Sequence, residues 1–408
     1  MVLTKFKELH KLQLLNYLFI MYAFLLPVSR AGIGISTLLI FFVWLFYGDV
    51  KQDIKNILQN KFTLSLLLLI GYTFIALFWS SNLNEGFNYA LRYWYYIPLF
   101  IIATNLEKKY IKPLISAFLL GMLINELLSY GMYFDLITWT NKASPYATPF
   151  MHHIQYSAFV VFTSLFLLNH IFYEESKSMK ILYVFFFLTI TTNLFINGAR
   201  TGYVSFALTV FIVLILSMKN KFKAIMLALL ISFGSLFSAY SFSDIFQKRI
   251  HHTLKEITQI NTDKLHTSFG QRIAMFYVGY QIIKEHPLLG VGTGDEMDLL
   301  KEAVDTEYKK FKYLEQRRHF HNVFLHITVQ LGLIGLALVI LVFYYFYRLK
   351  VEDKYYSNIK YIFITVFLIT CMTGNMFHQQ FTIALFSLFV GLIVSQNLLE
   401  SKRKNQIC

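Results

Sequence analysis

His319-Phe-His-Asn-Val-Phe-Leu-His-Ile-Thr-Val-Gln-Leu-Gly-Leu-Ile-Gly335 leads from a polar, doubly basic approach (Arg317, Arg318) into an apolar run over 322–347. That run is long enough to span a bilayer, so His321 and Asn322 stand at the mouth of a membrane helix. An ionisable imidazole held there is a functional candidate, and Gly332 with Gly335 three residues on predicts close approach of a neighbouring helix. Two readings of the pair remain open: polar atoms that cap the helix, or an imidazole that does chemistry.

Outward from this stretch the chain stays apolar. Of its 408 residues 56% are hydrophobic, 18% aromatic and only 15% charged. Such a composition excludes a water-soluble globule and predicts an all-α polytopic integral membrane protein. Runs of spanning length fall near 13–29, 32–48, 62–79, 88–105, 113–137, 154–173, 181–197, 203–218, 224–241, 322–347, 361–377 and 381–399, about twelve transmembrane helices. The formal charge of +14 does not indicate a nucleic-acid partner, because the lysines sit in short clusters between apolar runs. Cys371 and Cys408 suggest neither a disulfide nor a metal site. The basic N-terminus, with no small-residue cleavage site before the first apolar run, reads as a retained first helix.

Basic clusters occupy every second connection, from Lys5, Lys7 and Lys11 through Lys219, Lys221 and Lys223 to Lys402, Arg403 and Lys404. By the positive-inside rule these are cytoplasmic, which puts both termini in the cytoplasm and the 242–321 segment outside. The expected organisation is 1–241 with helices one to nine, 242–321 as a large outward loop with two main helices, and 322–408 with helices ten to twelve and a cytoplasmic tail. The stretch through His251, His252 and Asn261 shows little periodicity. Apolar spacing predicts a helix from Ser268 to Glu285, and acidic residues predict another from Asp295 to about Gln316.

Against the charge map, Arg30, Arg92, Lys142 and Arg200 are basic residues on the outward side. Arg200, in the turn Gly198-Ala-Arg-Thr-Gly202, is the sharpest candidate for a pyrophosphate, since a guanidinium grips two oxygens at once. Arg272 follows, then Arg92 and Arg30; His152 and His153 read as interfacial polar residues. The turn Gly290-Val-Gly-Thr-Gly294 lacks the strand and Gly-Lys-Ser/Thr ending of a nucleotide loop, although free amides there could help hold a phosphate. Glu296-Met-Asp298 could be taken for a metal-holding pair, but alternate residues do not share a helix face. His319, His321 and His326 lack a completing cysteine or carboxylate, so no metal and no cofactor are expected.

Together His321-Asn322, Gly332-Leu-Ile-Gly335, Lys284-Glu-His-Pro-Leu-Leu-Gly-Val-Gly-Thr-Gly294 and Asn197-Gly-Ala-Arg-Thr-Gly202 resemble the O-antigen ligase and O-antigen polymerase superfamily of bacterial inner membranes. The likeness covers about 190–345 by motif and the whole chain by architecture. Where ligases of this group often carry Thr-Thr after the second glycine, this chain has Leu336-Ala337. The resemblance implies a GT-C-like fold and a monomeric, metal-independent, inverting glycosyltransferase among the lipids of a Gram-negative inner membrane, with its active site facing the periplasm. It would move a glycan from undecaprenyl pyrophosphate to a lipid A-core sugar, with Arg200 and Arg272 on the pyrophosphate and His321 as the essential histidine. Asn322, Arg92 and Arg30 are further substrate-binding candidates. An O-antigen polymerase and an O-linked protein oligosaccharyltransferase are the alternatives within the superfamily. A transporter is the alternative outside it, disfavoured because ionisable residues other than Glu126 keep to helix ends.

Overall fold

A computed structural model describes residues 2–138, 146–260 and 265–407. Lys142, Asn261, Lys264 and Cys408 lie outside the described residues. Secondary structure among the described residues is helical throughout. The helices are α1 (Val2–Leu25), α2 (Arg30–Tyr47), α3 (Val50–Gln59), α4 (Lys61–Ile75), α5 (Leu83–Leu91), α6 (Ile97–Asn105), α7 (Lys108–Tyr133), α8 (His153–Tyr173) and α9 (Lys177–Ile196). They continue with α10 (Arg200–Ser217), α11 (Lys221–Phe242), α12 (Asp244–Ile260), α13 (Ser268–Glu285), α14 (Glu296–Thr306), α15 (Val323–Arg348), α16 (Lys354–Cys371) and α17 (Gln380–Ile407).

Each apolar run falls mostly in helical structure, and the chain is a polytopic membrane protein. Among the described residues nine helices are long and apolar enough to cross a bilayer by themselves. The run expected at 88–105 is broken instead: α5 gives way to a 3-10 turn, Arg92–Tyr96, before α6. Pro98 in the first turn of α6 has no N–H to extend an α ladder backwards, which accounts for the interruption. Two short connections between apolar runs are real helix ends: Ser29 caps α2 by accepting from the Gly32 amide at 2.9 Å, and Gly198 at φ +70° separates α9 from α10.

α8 and α17 are the most enclosed spans, and their aromatic side chains knit the bundle together. Phe389 of α17 meets Phe162 of α8 at 4.4 Å and Phe118 of α7 at 4.8 Å, edge to face, while Phe386 meets Phe367 of α16 at 5.0 Å. In lipid, where exposed apolar surface carries no penalty, such close packing is what holds helices together.

Among its described residues the 242–321 segment carries three α-helices of its own, α12, α13 and α14, where two main helices were expected. α12 occupies the stretch where little periodicity was visible, and the charged helix ends at Thr306, followed by a 3-10 segment, Lys309–Leu314. Ala274, Met275, Val278 and Ile282 of α13 meet Leu300 and Val304 of α14, Phe311, Leu314 and Phe320 in a second apolar core. Leu325 and Val329 belong to that core as well, so the first turns of α15 serve both the bundle and the segment lying over it.

Gly332 does not mediate helix packing; it breaks α15, with φ +66° and ψ −166°. Residues 286–294 fill the gap. Val291 N–H donates to Val329 O and Gly292 N–H to Gln330 O, each at 3.0 Å, and Leu333 N–H donates to Pro287 O at 2.9 Å. Backbone groups freed by the break are thus satisfied by the turn, as the interior of a membrane protein requires.

Candidate active site

The structure separates the roles of the pair at the mouth of α15. Asn322 is the cap: its side-chain oxygen accepts from the Leu325 amide at 3.0 Å, and its Nδ2 reaches Met372 Sδ at 4.0 Å. His321 is not a cap. It is held at φ +52°, a backbone region that L residues occupy at a cost, and its buried Nδ1 has no hydrogen-bond partner among the described residues. Its backbone N–H donates to His319 Nδ1 at 3.1 Å, and the two rings meet edge to face at 4.2 Å. Burial, and after it His319, Arg272, Arg317 and His152, push the His321 imidazole down to about 3. Burial likewise lowers His319 to about 4, so both rings are neutral near pH 7.

Arg200 opens α10 and is tied to Glu256 of α12, which is 1% exposed. Glu256 also faces His252 Nδ1 at 3.1 Å and accepts from the Ser268 amide, where α13 begins, at 3.2 Å. Burial alone would raise the Glu256 carboxyl, but Arg200, His252 and the Ser268 amide outweigh it and hold the group below its usual range. Arg272, on α13, is half-buried. Burial and then Arg200 lower its proton affinity, while Glu256 raises it. Because Arg272 also acts on His321, the structure brings together Arg200, Arg272 and His321.

Around these three lies a ring of basic and imidazole groups in mutual electrostatic contact, the basic bowl of the site. From His321 the electrostatic contacts pass through Arg317 and His319 to His152, then through His153 to Arg249, then through Tyr203 back to Arg200. His152 caps α8 in a capping box with Gln155, and its ring lies 4.1 Å from that of His153. Arg249 was not singled out from sequence, because the stretch holding it was not read as a helix. Arg317 was visible only as part of a basic approach. A bowl with this many guanidinium groups, one carboxylate and neutral imidazoles can bind a polyanion and place a polar hydrogen-bonding ring beside it.

Other expected candidates are employed elsewhere. Arg30 and Arg92 are exposed and stand together by Tyr95, and Arg30 exchanges hydrogen bonds with Gln380 at 3.2 and 2.8 Å. Four of the five amides of the glycine turn face acceptors within the protein. Beyond the bonds to α15, Thr293 N–H faces Ala76 O at 3.5 Å and Gly294 N–H donates to Glu296 at 3.1 Å.

The acidic residues after that turn are staples. Asp295 accepts from Ser80 Oγ at 2.9 Å and from the Ser81 and Asn82 amides at 2.6 and 2.8 Å, and Asp298 pairs with Asn82 and Lys301. Glu296 points inward: it accepts from Gln330 Nε2 at 3.2 Å and lies 3.6 Å from His326. Burial raises its carboxyl to about 7 against the opposing pull of its backbone and Gln330 bonds. Among the described residues no three His, Cys, Asp or Glu side chains converge as a metal-ligand set.

Residues 185–340 match a family model described as O-antigen ligase. The matched span holds Arg200, Arg249, Glu256, Arg272, Arg317 and His321, and it supports membership of the O-antigen ligase and polymerase superfamily and a function of that type. A comparison with curated proteins found no match.

Proposed function

We propose that the protein is a ligase that transfers a glycan from undecaprenyl pyrophosphate to a sugar of lipid A-core, in the periplasmic leaflet of a Gram-negative inner membrane, with inversion at the anomeric carbon. The observation that carries this reading is a neutral imidazole, His321, with an unpartnered Nδ1 in a guanidinium-rich bowl at the mouth of a membrane helix. A glycosyl pyrophosphate brings its own leaving group, so the protein has to hold the departing charge and align an acceptor hydroxyl. Arg200 and Arg272 take the phosphate oxygens. His321 accepts the acceptor's proton as the new glycosidic bond forms, while the bond between anomeric carbon and phosphate breaks and its electron pair leaves with the pyrophosphate.

Donor binding also prepares the base. Arg272 and Arg317 are among the groups that suppress the basicity of His321, and a pyrophosphate between them offsets their charge and raises it. No step draws on a metal or a cofactor, and one copy of the chain supplies all of these groups.

Leu336-Ala337, where ligases of this group often have Thr-Thr, favours a second reading: a polymerase with the same donor chemistry and a lipid-linked glycan as acceptor. A cell-envelope gel of a deletion strain separates the two. A ligase predicts loss of all long-chain lipopolysaccharide with the lipid-linked polymer retained, and a polymerase predicts core capped by a single repeat. An unaltered gel contradicts both.

A further inference from the structure

The bowl holds more positive charge than Arg200 and Arg272 supply. Arg249 and Arg317 are half-buried, and each has a buried Nε with no acceptor among the described residues. Arg249 lies over the Tyr146 ring at 4.8 Å and acts on His153 and Tyr203; Arg317 acts on His319 and His321. Arg317 thus acts on the ring of His321, and Arg249 acts on Tyr203, on which Arg200 also acts.

An ordinary surface arginine spreads its guanidinium into water or pairs with a carboxylate. Among the described residues neither of these two pairs with a carboxylate, and each buries its Nε without an acceptor. Among the described residues the bowl's only ion-paired arginine is Arg200, and its partner Glu256 is the only carboxylate there. Four guanidinium groups less one carboxylate leave three positive charges in excess, because His319 and His321 are neutral. Half-buried charge of one sign is tolerated where a ligand of the other sign completes it.

The ligand's own charge changes during transfer. A pyrophosphate esterified at both ends is a dianion; once the anomeric C–O bond breaks, the departing pyrophosphate monoester can carry a third negative charge. We infer that Arg249 and Arg317 are anion-binding residues of this site, and that its four guanidinium groups match the departing trianion better than the bound dianion. This rests on the transferase reading above and deepens it. The preference for the later charge state is what would make the two arginines catalytic, and not only adhesive.

The test uses the purified full-length chain in detergent, with inorganic pyrophosphate as probe in a calorimetric titration. Arg249→Gln and Arg317→Gln should each weaken binding about tenfold or more, and in a transfer assay should lower kcat by a larger factor than they raise the donor KM. Should a glutamine variant fail to fold, the lysine variant keeps the charge but loses the two-pronged grip, and about threefold or greater weakening is expected of it. If both variants bind pyrophosphate within about twofold of the parent while Arg200→Gln and Arg272→Gln do not, the inference is overturned and the transferase reading stands. A parent protein that neither binds pyrophosphate nor turns over lipid-linked donor overturns both. A rise in donor KM with kcat unchanged overturns the charge match.

Discussion

Glu256 joins Arg200 to the start of α13: one of its carboxylate oxygens pairs with the guanidinium, while the other faces His252 and accepts from the Ser268 amide. The ion pair places one wall of the bowl relative to another, so it should contribute to stability as well as geometry. Glu256→Gln keeps the shape and removes the charge. Because Arg200 is 24% exposed, the expected loss lies below that of a fully buried pair, about 1–3 kcal/mol. The Glu256 carboxyl is held below its unfolded value, so this contribution is present above that value, about pH 4, and disappears as pH falls through the folded one. Melting curves of parent and variant should therefore differ at pH 7 and converge in acid; coincident curves at pH 7 would rule the role out.

The break in α15 should not tolerate a side chain. At φ +66° a Cβ on Gly332 would overlap the Leu288 carbonyl oxygen, and at φ +70° one on Gly290 would overlap the backbone of Gln330 and Gly332. Left-handed strain alone costs about 1–3 kcal/mol at each position, and the overlap adds to it. Gly332→Ala and Gly290→Ala should lower the melting temperature and the yield of folded protein. Gly234, with open space around it, is the control whose alanine variant should melt like the parent. Equal stability of all three would show that the turn does not plug the helix.

Histidine protonation gives a sign that can be read directly. With its affinity lowered to about 3, His321 is neutral throughout pH 5–8, and a step that needs the neutral ring is lost only well below that window. Carbon-13 histidine spectra of the parent, assigned by comparison with His321→Gln, should show no titration of this ring above pH 5. Added pyrophosphate should raise its pKa, since the anion offsets Arg272 and Arg317. A ring that titrates near 6.5 without ligand contradicts the burial that underlies the site.

Orientation follows from the alternating basic clusters and is open to labelling. Single cysteines in place of Lys221 and Arg403 should be protected from an impermeant thiol reagent in intact spheroplasts, and one in place of Lys309 should react, in a chain whose own cysteines are removed. Reaction at 221 with protection at 309 would invert the topology and place the bowl in the cytoplasm.

Much of this was legible because a bilayer writes strongly into sequence. Long apolar runs and their glycine, serine and proline punctuation are local signals, and Ser29 and Gly198 end helices where the sequence marks them. The interruption at Arg92–Tyr96 was missed because an apolar run looks the same whether its helix is continuous or broken. Gly332 was read as a packing surface because its partner, residues 286–294, lies far away in sequence, and only the fold brings the two backbones together. At the site, Arg200, Arg272 and His321 stood out as ionisable residues in conspicuous places. Arg249 did not, since an amphipathic helix lying over a membrane bundle repeats its pattern too briefly to be noticed. The split between Asn322 as cap and His321 as free ring depends on one left-handed backbone angle, which composition does not encode.

The most direct measurement is transfer by purified protein from undecaprenyl-pyrophosphate-linked glycan to lipid A-core, with parent, His321→Gln and Asn322→Ser compared in the presence of chelator. Serine still caps α15, so Asn322→Ser should keep measurable turnover, and chelator should leave the parent rate unchanged. Glutamine can hydrogen-bond but cannot take a proton near neutral pH, so His321→Gln should lose about a hundredfold or more in rate while melting like the parent. A His321→Gln protein that turns over donor at close to the parental rate would contradict the assignment of this imidazole as the base.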